Sequence, residues 1–362
     1  MKSPGQATGP ALFVMAGGGT GGHVLPLLAV ARELKRRGHE VLFIGTKRGI
    51  EGRLVPAAEF AIEFIEIGGM KGVGLGRLLH TIWSLPLSTL QVLKLLSALR
   101  PRAVFSMGGY VAGPTVAAAL LQGVPVIAME PNAAPGITNR WFGRFARKTL
   151  LTFPEAARYF PAGKTEVTGL PIRSEFFGMA PRRRDSVLRL LITGGSAGSR
   201  TLNQAARGSW PLFRAVNFPI HILHQTGRDA WEETRSAFAE SGLAGEVVPF
   251  IDDMPGAYRS SDLIVSRAGA GAVSEIAAAG RPSILVPYPY AADQHQLRNA
   301  EAFEKAGAAR LALDREMSGE RLFELVQDVA GRIDEMGEAA RKLAKPGAAE
   351  RAADLLEESI DS

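Results

Sequence analysis

The sequence predicts an α/β protein made of two doubly wound, parallel-sheet domains of Rossmann type in tandem. Three observations carry that prediction. An apolar run at 11–16 leads through a glycine-dense turn into an amphipathic helix and a second extended run, the opening of a parallel sheet. The same order restarts at 187–193, where Val-Leu-Arg-Leu-Leu-Ile-Thr is followed by Gly-Gly-Ser-Ala-Gly and a helix from about Thr201. A chain of 362 residues, 46% apolar and 22% charged, also holds material for two cores of ordinary size.

In the first half, Leu27, Leu28, Val30, Ala31 and Leu34 recur at helical spacing over 26–37, and Gly38 supplies the stop. Extended runs follow at 40–44, 61–67, 103–107, 124–129 and 149–151, with helical stretches between them. The arginine-rich stretch 181–185 reads as a linker. In the second half the extended runs fall at 220–225, 246–250, 263–266, 283–286 and 309–313, and 348–360 reads as a closing helix. The expected domains are 1–180 and 181–346, with 347–362 a helix that packs on one of them.

The chain has no cysteine, which excludes disulfides, thiol catalysis and cysteine metal sites and suits a reducing cytoplasm. Residues 1–10 are short and polar with one lysine, unlike a cleavable signal, and glycine, proline or charge breaks each apolar stretch before a span of about 18 residues. The net charge of +6 is uneven: residues 1–180 carry 20 Lys and Arg against 10 Asp and Glu, residues 181–362 carry 22 against 26. No acidic residue lies between Glu66 and Glu130. A positive half suits an anionic surface, nucleic acid or lipid. Without basic aromatic repeats or a DNA-binding signature, nucleic acid is the weaker reading.

Residues 17–23 read Gly-Gly-Gly-Thr-Gly-Gly-His. Glycines there let the backbone turn sharply and approach a ligand, and a following helix aims free N–H groups at an anion such as a diphosphate. Gly17, Gly19 and Gly22 satisfy G-x-G-x-x-G, but a nicotinamide site also wants an acid at the end of the second strand. That strand ends Ile44-Gly45-Thr46-Lys47-Arg48, which argues against NAD and leaves NADP open. His23 lies outside that fingerprint. An imidazole titrates near neutral pH and suits proton transfer, the alternative being a capping or packing role.

In the second half, residues 266–275 run from a strand through small residues into a helix, and Glu275 is placed to accept from vicinal ribose hydroxyls or to serve only the helix dipole. Asp293-Gln294-His295-Gln296 forms a polar cluster beyond a strand C-terminus, where open α/β sheets bind ligands.

Taken together, Gly-Gly-Thr-Gly-Gly-His at 18–23, Met-Gly-Gly-Tyr-Val-Ala-Gly-Pro at 107–114, Gly-Gly-Ser-Ala-Gly-Ser at 194–199, Phe-Ile-Asp-Asp-Met at 250–254, Ser-Glu-Ile-Ala-Ala-Ala-Gly at 274–280 and Asp-Gln-His-Gln at 293–296 form an ordered set. That set closely resembles the bacterial peptidoglycan glycosyltransferases that convert lipid I to lipid II, from about Leu12 to the closing helix. The resemblance implies a GT-B architecture, two Rossmann-like domains facing a central cleft. The C-terminal domain would hold UDP-N-acetylglucosamine, the N-terminal domain the lipid I acceptor, and the last helix would return to the N-terminal domain. It implies no cofactor and an enzyme peripheral to the cytoplasmic side of the inner membrane, working beside cell-wall synthesis or division proteins.

Carried over by position, the UDP-sugar site comprises Thr20, Gly21, Gly22, Asn132, Arg173 and Ser196, with Ile251 at the uracil. Ala270, Gly271, Ala272, Val273 and Ser274 follow at the sugar and diphosphate, Glu275 at the ribose and Gln296 at the transferred sugar. Gly108, Gly109 and Tyr110 fall to the acceptor. Two positions depart from the family: Pro131 replaces a glutamine in Glu130-Pro131-Asn132, and His295 replaces the first of a glutamine pair. The implied reaction inverts an α-linked donor to a β-1,4 product and needs a base for the acceptor 4-hydroxyl and positive electrostatics for the leaving UDP. His23 is the expected base, with Glu130 as an alternative base or as the group that orients it. Neither H-E-x-x-H nor Asp-x-Asp occurs, so no metal motif is present. The leucine-rich stretch 70–102, with Trp83 and edged by Lys71, Arg77, Lys94, Arg100 and Arg102, reads over 75–87 as an element docking on anionic lipid.

Overall fold

The structure, a computed structural model, describes residues 9–66, 75–181 and 186–359, the side chains of 75–84 excepted. Residues 182–185 of the expected linker, and Lys71, lie outside the described residues, as do the side chains of Arg77 and Trp83. The chain divides into two compact units, residues 1–172 with 347–362, and residues 173–346.

The first unit opens with β1 (Leu12–Ala16), α1 (Gly21–Arg36), β2 (Glu40–Gly45), α2 (Glu51–Ala57), β3 (Ala61–Phe64) and α3 (Leu75–Leu99). It continues with β4 (Ala103–Ser106), α4 (Gly109–Leu121), β5 (Val126–Glu130), α5 (Ile137–Phe142), β6 (Lys148–Leu151) and β7 (Thr165–Val167). The seven strands are parallel in the order β3-β2-β1-β4-β5-β6-β7. Strands β1, β4 and β5 are almost wholly apolar because helices cover both faces, and Val14, Ala16, Val104, Val126 and Ala128 form one core with Val92, Leu96, Ala112 and Val116. Helix α1 starts five residues before Pro26, so the glycines form its first turn, and the proline has no N–H to give the Gly22 carbonyl. The expected strand 61–67 stops at Phe64, and β7, three residues at the sheet edge, carries too little alternation to be read from sequence.

The second unit holds β8 (Leu188–Thr193), α6 (Arg200–Ala215), β9 (Ile220–Gln225), α7 (Trp231–Ser241), β10 (Ala244–Val248) and α8 (Met254–Ser260). Then come β11 (Leu263–Ser266), α9 (Ala270–Ala279), β12 (Ser283–Leu285), α10 (His295–Lys305), β13 (Ala309–Leu311), α11 (Gly319–Ala330) and α12 (Ile333–Leu343). Its six strands are parallel in the order β10-β9-β8-β11-β12-β13. Leu190, Ile192, Ile222, Val265 and Ile284 pack against Leu202, Trp210, Phe213, Leu322 and Val326 from the helices. Residues 173–180, which the sequence reading gives to the first domain, lie with this unit. Phe176 packs edge-on against the buried Tyr258 at 5.1 Å, and Arg281 and Arg341 bind the carbonyls of Ala180 and Met179.

The final helix α13 (Ala348–Glu358) belongs to the first unit. Arg37 bonds Asp354 and Glu357 at 2.7 Å each, His39 meets Glu357 at 2.8 Å, and Arg351 bonds Glu166 at 2.7 Å.

One buried group in the second unit predicts an acid response. His224 is fully buried, bonds Asn203 Oδ1 at 3.0 Å, and burial pushes its pKa down to about 4. The unfolded chain therefore binds a proton that the folded one refuses. Stability is complete above the ordinary value near 6.5 and falls between there and about 4, by about 3 kcal/mol in total. Thermal unfolding from pH 7 to 4 should show a steeper acid loss for the native chain than for His224→Gln; parallel curves would refute it.

Candidate active site

Each sheet reverses its strand order once, between β1 and β4 and between β8 and β11. Loops leaving the C-terminal ends of such strand pairs border the crevice where open α/β sheets bind ligands. The register sets Ala16 beside Ser106 and Thr193 beside Ser266, so the turns that follow emerge side by side. These are the glycine turns and the 267–271 turn singled out by sequence.

In the first unit, His23 stands in the first turn of α1 and folds back on its own loop. Its Nδ1 lies 3.2 Å from the Gly18 carbonyl and 3.3 Å from the Thr20 hydroxyl. A carbonyl only accepts, so Nδ1 is the donor in this contact, and in the neutral ring the lone pair then falls to Nε2, the form a base needs. Gly19 has φ +83°, and a Cβ there would stand 3.1 Å from the Tyr110 ring. Gly108 and Gly109, both at positive φ, open α4, and a Cβ on Gly109 would stand 3.5 Å from the imidazole Cε1.

Glu130 ends β5 and is 1% exposed. Its Oε1 accepts from the Asn132 N–H at 2.9 Å and its Oε2 from Asn139 Nδ2 at 2.9 Å. Burial pushes its carboxyl up to about 7, against the pull of these bonds. The Asn139 amide also bonds the Met129 carbonyl and fills the space a Cβ on Gly108 would need. Thr138 meanwhile donates to the Gly109 carbonyl at 3.0 Å. Glu130 thus anchors the turn that packs on His23.

In the second unit the expected residues gather on the loops at the C-terminal ends of the strands. Ser196 is exposed at the tip of the turn after β8, whose Gly195 is clamped by Thr193 and by Gln225, the latter at 2.9 Å. Helix α9 begins at Ala270 with Gly269 as its cap and no side-chain cap bond, so the N–H groups of Ala270, Gly271 and Ala272 open its N-terminus. Val273 is buried beneath, and Ser274 and Glu275 lie half-buried one turn in. Burial pushes the Glu275 carboxyl up to about 7 while the charge of Arg173 draws it down. Arg173 is itself exposed, its guanidinium 5.1 Å from the Phe176 ring. Ile251 follows β10 just before Asp253, which caps α8 through the Gly256 N–H at 2.9 Å. Gln296 Oε1 accepts from the Tyr288 N–H at 2.9 Å, which turns its amide nitrogen toward Gly269. His295 Nδ1 donates to the Ala292 carbonyl at 2.7 Å.

Besides Asn139, two further residues with structural consequence escape the sequence reading. Glu51, the first residue of α2, reaches the first glycine loop from six residues beyond the end of β2, where a nicotinamide site would place its acid. Arg267 pairs with Asp314, donates to Ser199 Oγ at 2.7 Å and to the carbonyls of Val286 and Pro287, and so ties the second glycine turn to the α9 turn. Neither has a spacing signal, because each acts on backbone brought near only by the sheet. Among the described residues no three His, Asp or Glu side chains group as a metal site.

Two parallel-sheet units, each with small-residue turns at its strand-order reversal, have the architecture of GT-B glycosyltransferases, and the chain belongs to glycosyltransferase family 28. Residues 13–151 match the family's N-terminal domain and residues 189–358 its C-terminal domain. A relative from Solibacter usitatus, a UDP-N-acetylglucosamine–N-acetylmuramyl-(pentapeptide) pyrophosphoryl-undecaprenol N-acetylglucosamine transferase, is 60% identical over 97% of both chains. The protein of the same name from Halorhodospira halophila is 44% identical over 95% of this chain and 97% of its own. The crystal structure of Acinetobacter baumannii MurG matches with a TM-score of 0.80 and 35% identity, covering 96% of this chain and all of that one.

Proposed function

We infer that this enzyme moves N-acetylglucosamine from UDP-N-acetylglucosamine to the lipid-linked N-acetylmuramoyl-pentapeptide acceptor lipid I, forming lipid II for peptidoglycan. The observation that carries this is 60% identity over nearly the whole chain to a transferase of that specificity. The chemistry of the loops supports it. His23 takes the proton of the acceptor 4-hydroxyl at Nε2 as the hydroxyl oxygen bonds the anomeric carbon and the bond to the UDP oxygen breaks. The charge that builds on the UDP diphosphate is met by the opened N-terminus of α9, by the turn carrying Ser196 and by Arg173. Glu275 receives the ribose hydroxyls, Ile251 offers backbone groups to the uracil, and Gln296 bonds the transferred sugar. Thr20, Gly21, Gly22 and Asn132 complete the donor contacts. Gly108, Gly109 and Tyr110 border the acceptor, and Glu130 holds the turn that positions them.

The test is incubation with labelled UDP-N-acetylglucosamine and a lipid I analogue. A β-linked disaccharide product is expected; transfer only from another UDP-sugar, or none to this acceptor, would overturn the assignment.

A lipid-linked acceptor brings the enzyme to the membrane, on the reading above at its cytoplasmic side, and the described surface of the first unit supports peripheral docking. No helix among the described residues is long and apolar enough to cross a bilayer. Leu87 and Leu90 of α3 are 69% and 55% exposed, and around α5 Ile137, Trp141 and Phe145 are each more than 60% exposed. Arg140, Arg144 and Arg158 surround that second patch, stacked on Tyr159 and Trp141, and none pairs with a carboxylate among the described residues. Cations beside exposed aromatics suit an anionic interface. Replacing Arg140 and Arg144 by alanine should weaken binding to anionic phospholipid vesicles roughly 30-fold, at about 1 kcal/mol per arginine. Sedimentation equal to that of the unaltered enzyme would remove this surface from the docking face.

A further inference from the structure

The carboxylate of Glu51 is buried beneath the first glycine loop, 1% exposed. Its Oε1 accepts from the Thr46 N–H at 3.0 Å and the Thr46 hydroxyl at 2.8 Å, and its Oε2 accepts from the Gly19 N–H at 2.8 Å. That N–H belongs to the same peptide group as the Gly18 carbonyl, the acceptor for His23 Nδ1 at 3.2 Å. A trans peptide holds its N–H and C=O pointing in opposite directions, so one planar unit lies between carboxylate and imidazole. We propose that Glu51 is a positioning residue for His23, acting through the Gly18–Gly19 peptide. An anion accepting from the N–H end polarises the amide and makes its carbonyl a stronger acceptor. The strengthened carbonyl fixes the proton on Nδ1 and makes Nε2 more basic, the service a directly bonded carboxylate performs in a hydrolase triad.

The surrounding glycines fit this arrangement. A Cβ on Gly18 would stand 2.5 Å from the Glu51 carboxyl, one on Gly45 2.7 Å from its Cγ, and one on Gly49 would overlap it. Glu51 is itself the first residue of α2, so its carboxylate projects from the start of that helix under the loop. The relay also spends the Gly19 N–H, so that donor does not serve a diphosphate. The titratable groups packed around it are Tyr110 from α4 and Glu130 from β5. Burial and the charge of Glu51 push the Tyr110 phenol up, so it stays neutral, while Glu130 lies one asparagine away from the Gly108 turn.

The inference rests on His23 being the base, and the test separates the two claims. Nitrogen NMR of selectively labelled His23 in the unaltered enzyme should show Nδ1 protonated and Nε2 bare; the opposite tautomer would overturn the relay without any variant. In Glu51→Gln the tautomer preference should weaken and the acid limb of the kcat profile should move to lower pH. Turnover should fall roughly 10- to 100-fold with the KM for UDP-N-acetylglucosamine unchanged. Thr46→Val, which loosens Glu51 without touching the Gly19 bond, should shift the same readouts less and in the same direction. An unchanged His23 spectrum and pH profile in folded Glu51→Gln would refute the relay even where His23→Ala abolishes turnover. Full turnover in His23→Ala would instead remove the base reading on which the relay depends.

Discussion

Turnover by His23→Ala should fall roughly 10²- to 10⁴-fold, the span that a positioned general base contributes, while affinity for UDP is retained. The loss belongs to kcat because the imidazole contributes nothing until the acceptor hydroxyl begins to lose its proton. On the proposed donor site, affinity for UDP should survive because the α9 N-terminus, the Ser196 turn and Glu275 all lie in the second unit. His23→Gln is the sharper variant. It keeps a donor for the Gly18 carbonyl but cannot take a proton, so loop geometry is separated from proton transfer. Calorimetric titration with UDP beside steady-state kinetics checks both halves, and turnover within twofold of the unaltered enzyme would remove His23 from the reaction.

Glu275→Ala should raise the KM for UDP-N-acetylglucosamine roughly 10- to 100-fold, consistent with one charged hydrogen bond at about 1.5–3 kcal/mol. The pH dependence gives an independent handle. Burial raises the Glu275 carboxyl to about 7, so near neutrality a large fraction is protonated in the empty site. A protonated carboxyl accepts less well from vicinal hydroxyls. Donor affinity should therefore weaken as pH falls below about 7, and Glu275→Gln should flatten that slope. Donor titrations at pH 6 and 8 decide it: equal slopes in both proteins would place the ribose elsewhere.

Most of the fold was legible because parallel strands covered on both faces read as short apolar runs. β1, β8, β9 and β11 fall within a residue of where those runs place them. The misses have physical causes. β10 begins at Ala244 rather than Glu246 because Gly245, at φ +137°, lays its backbone against Ile222, a packing that no apolar pattern announces. Helix α1 takes in Gly21 and Gly22, which propensity alone assigns to the loop. At the candidate site, residue type alone singles out His23, Glu275 and the glycines, and Gly17, Gly19, Gly108, Gly109 and Gly195 have the positive φ that glycine permits. Residues that act by holding backbone were not. Glu51, Asn139 and Arg267 bond carbonyls, N–H groups and other side chains from distant parts of the chain. Only the sheet order brings them there.

The first unit is discontinuous in sequence, since α13 joins it after the whole of the second unit has been made. On the ribosome, residues 1–172 emerge first, yet the carboxylates that meet Arg37, His39 and Arg351 include three from the last helix. The second unit, one uninterrupted stretch from 173 to 346, has every residue it needs before the first is complete. Synthesis order and completion order are thus inverted: the domain begun first is finished last. A stalled or truncated chain ending near 346 would carry a whole second unit and a first unit with an open seam along α1.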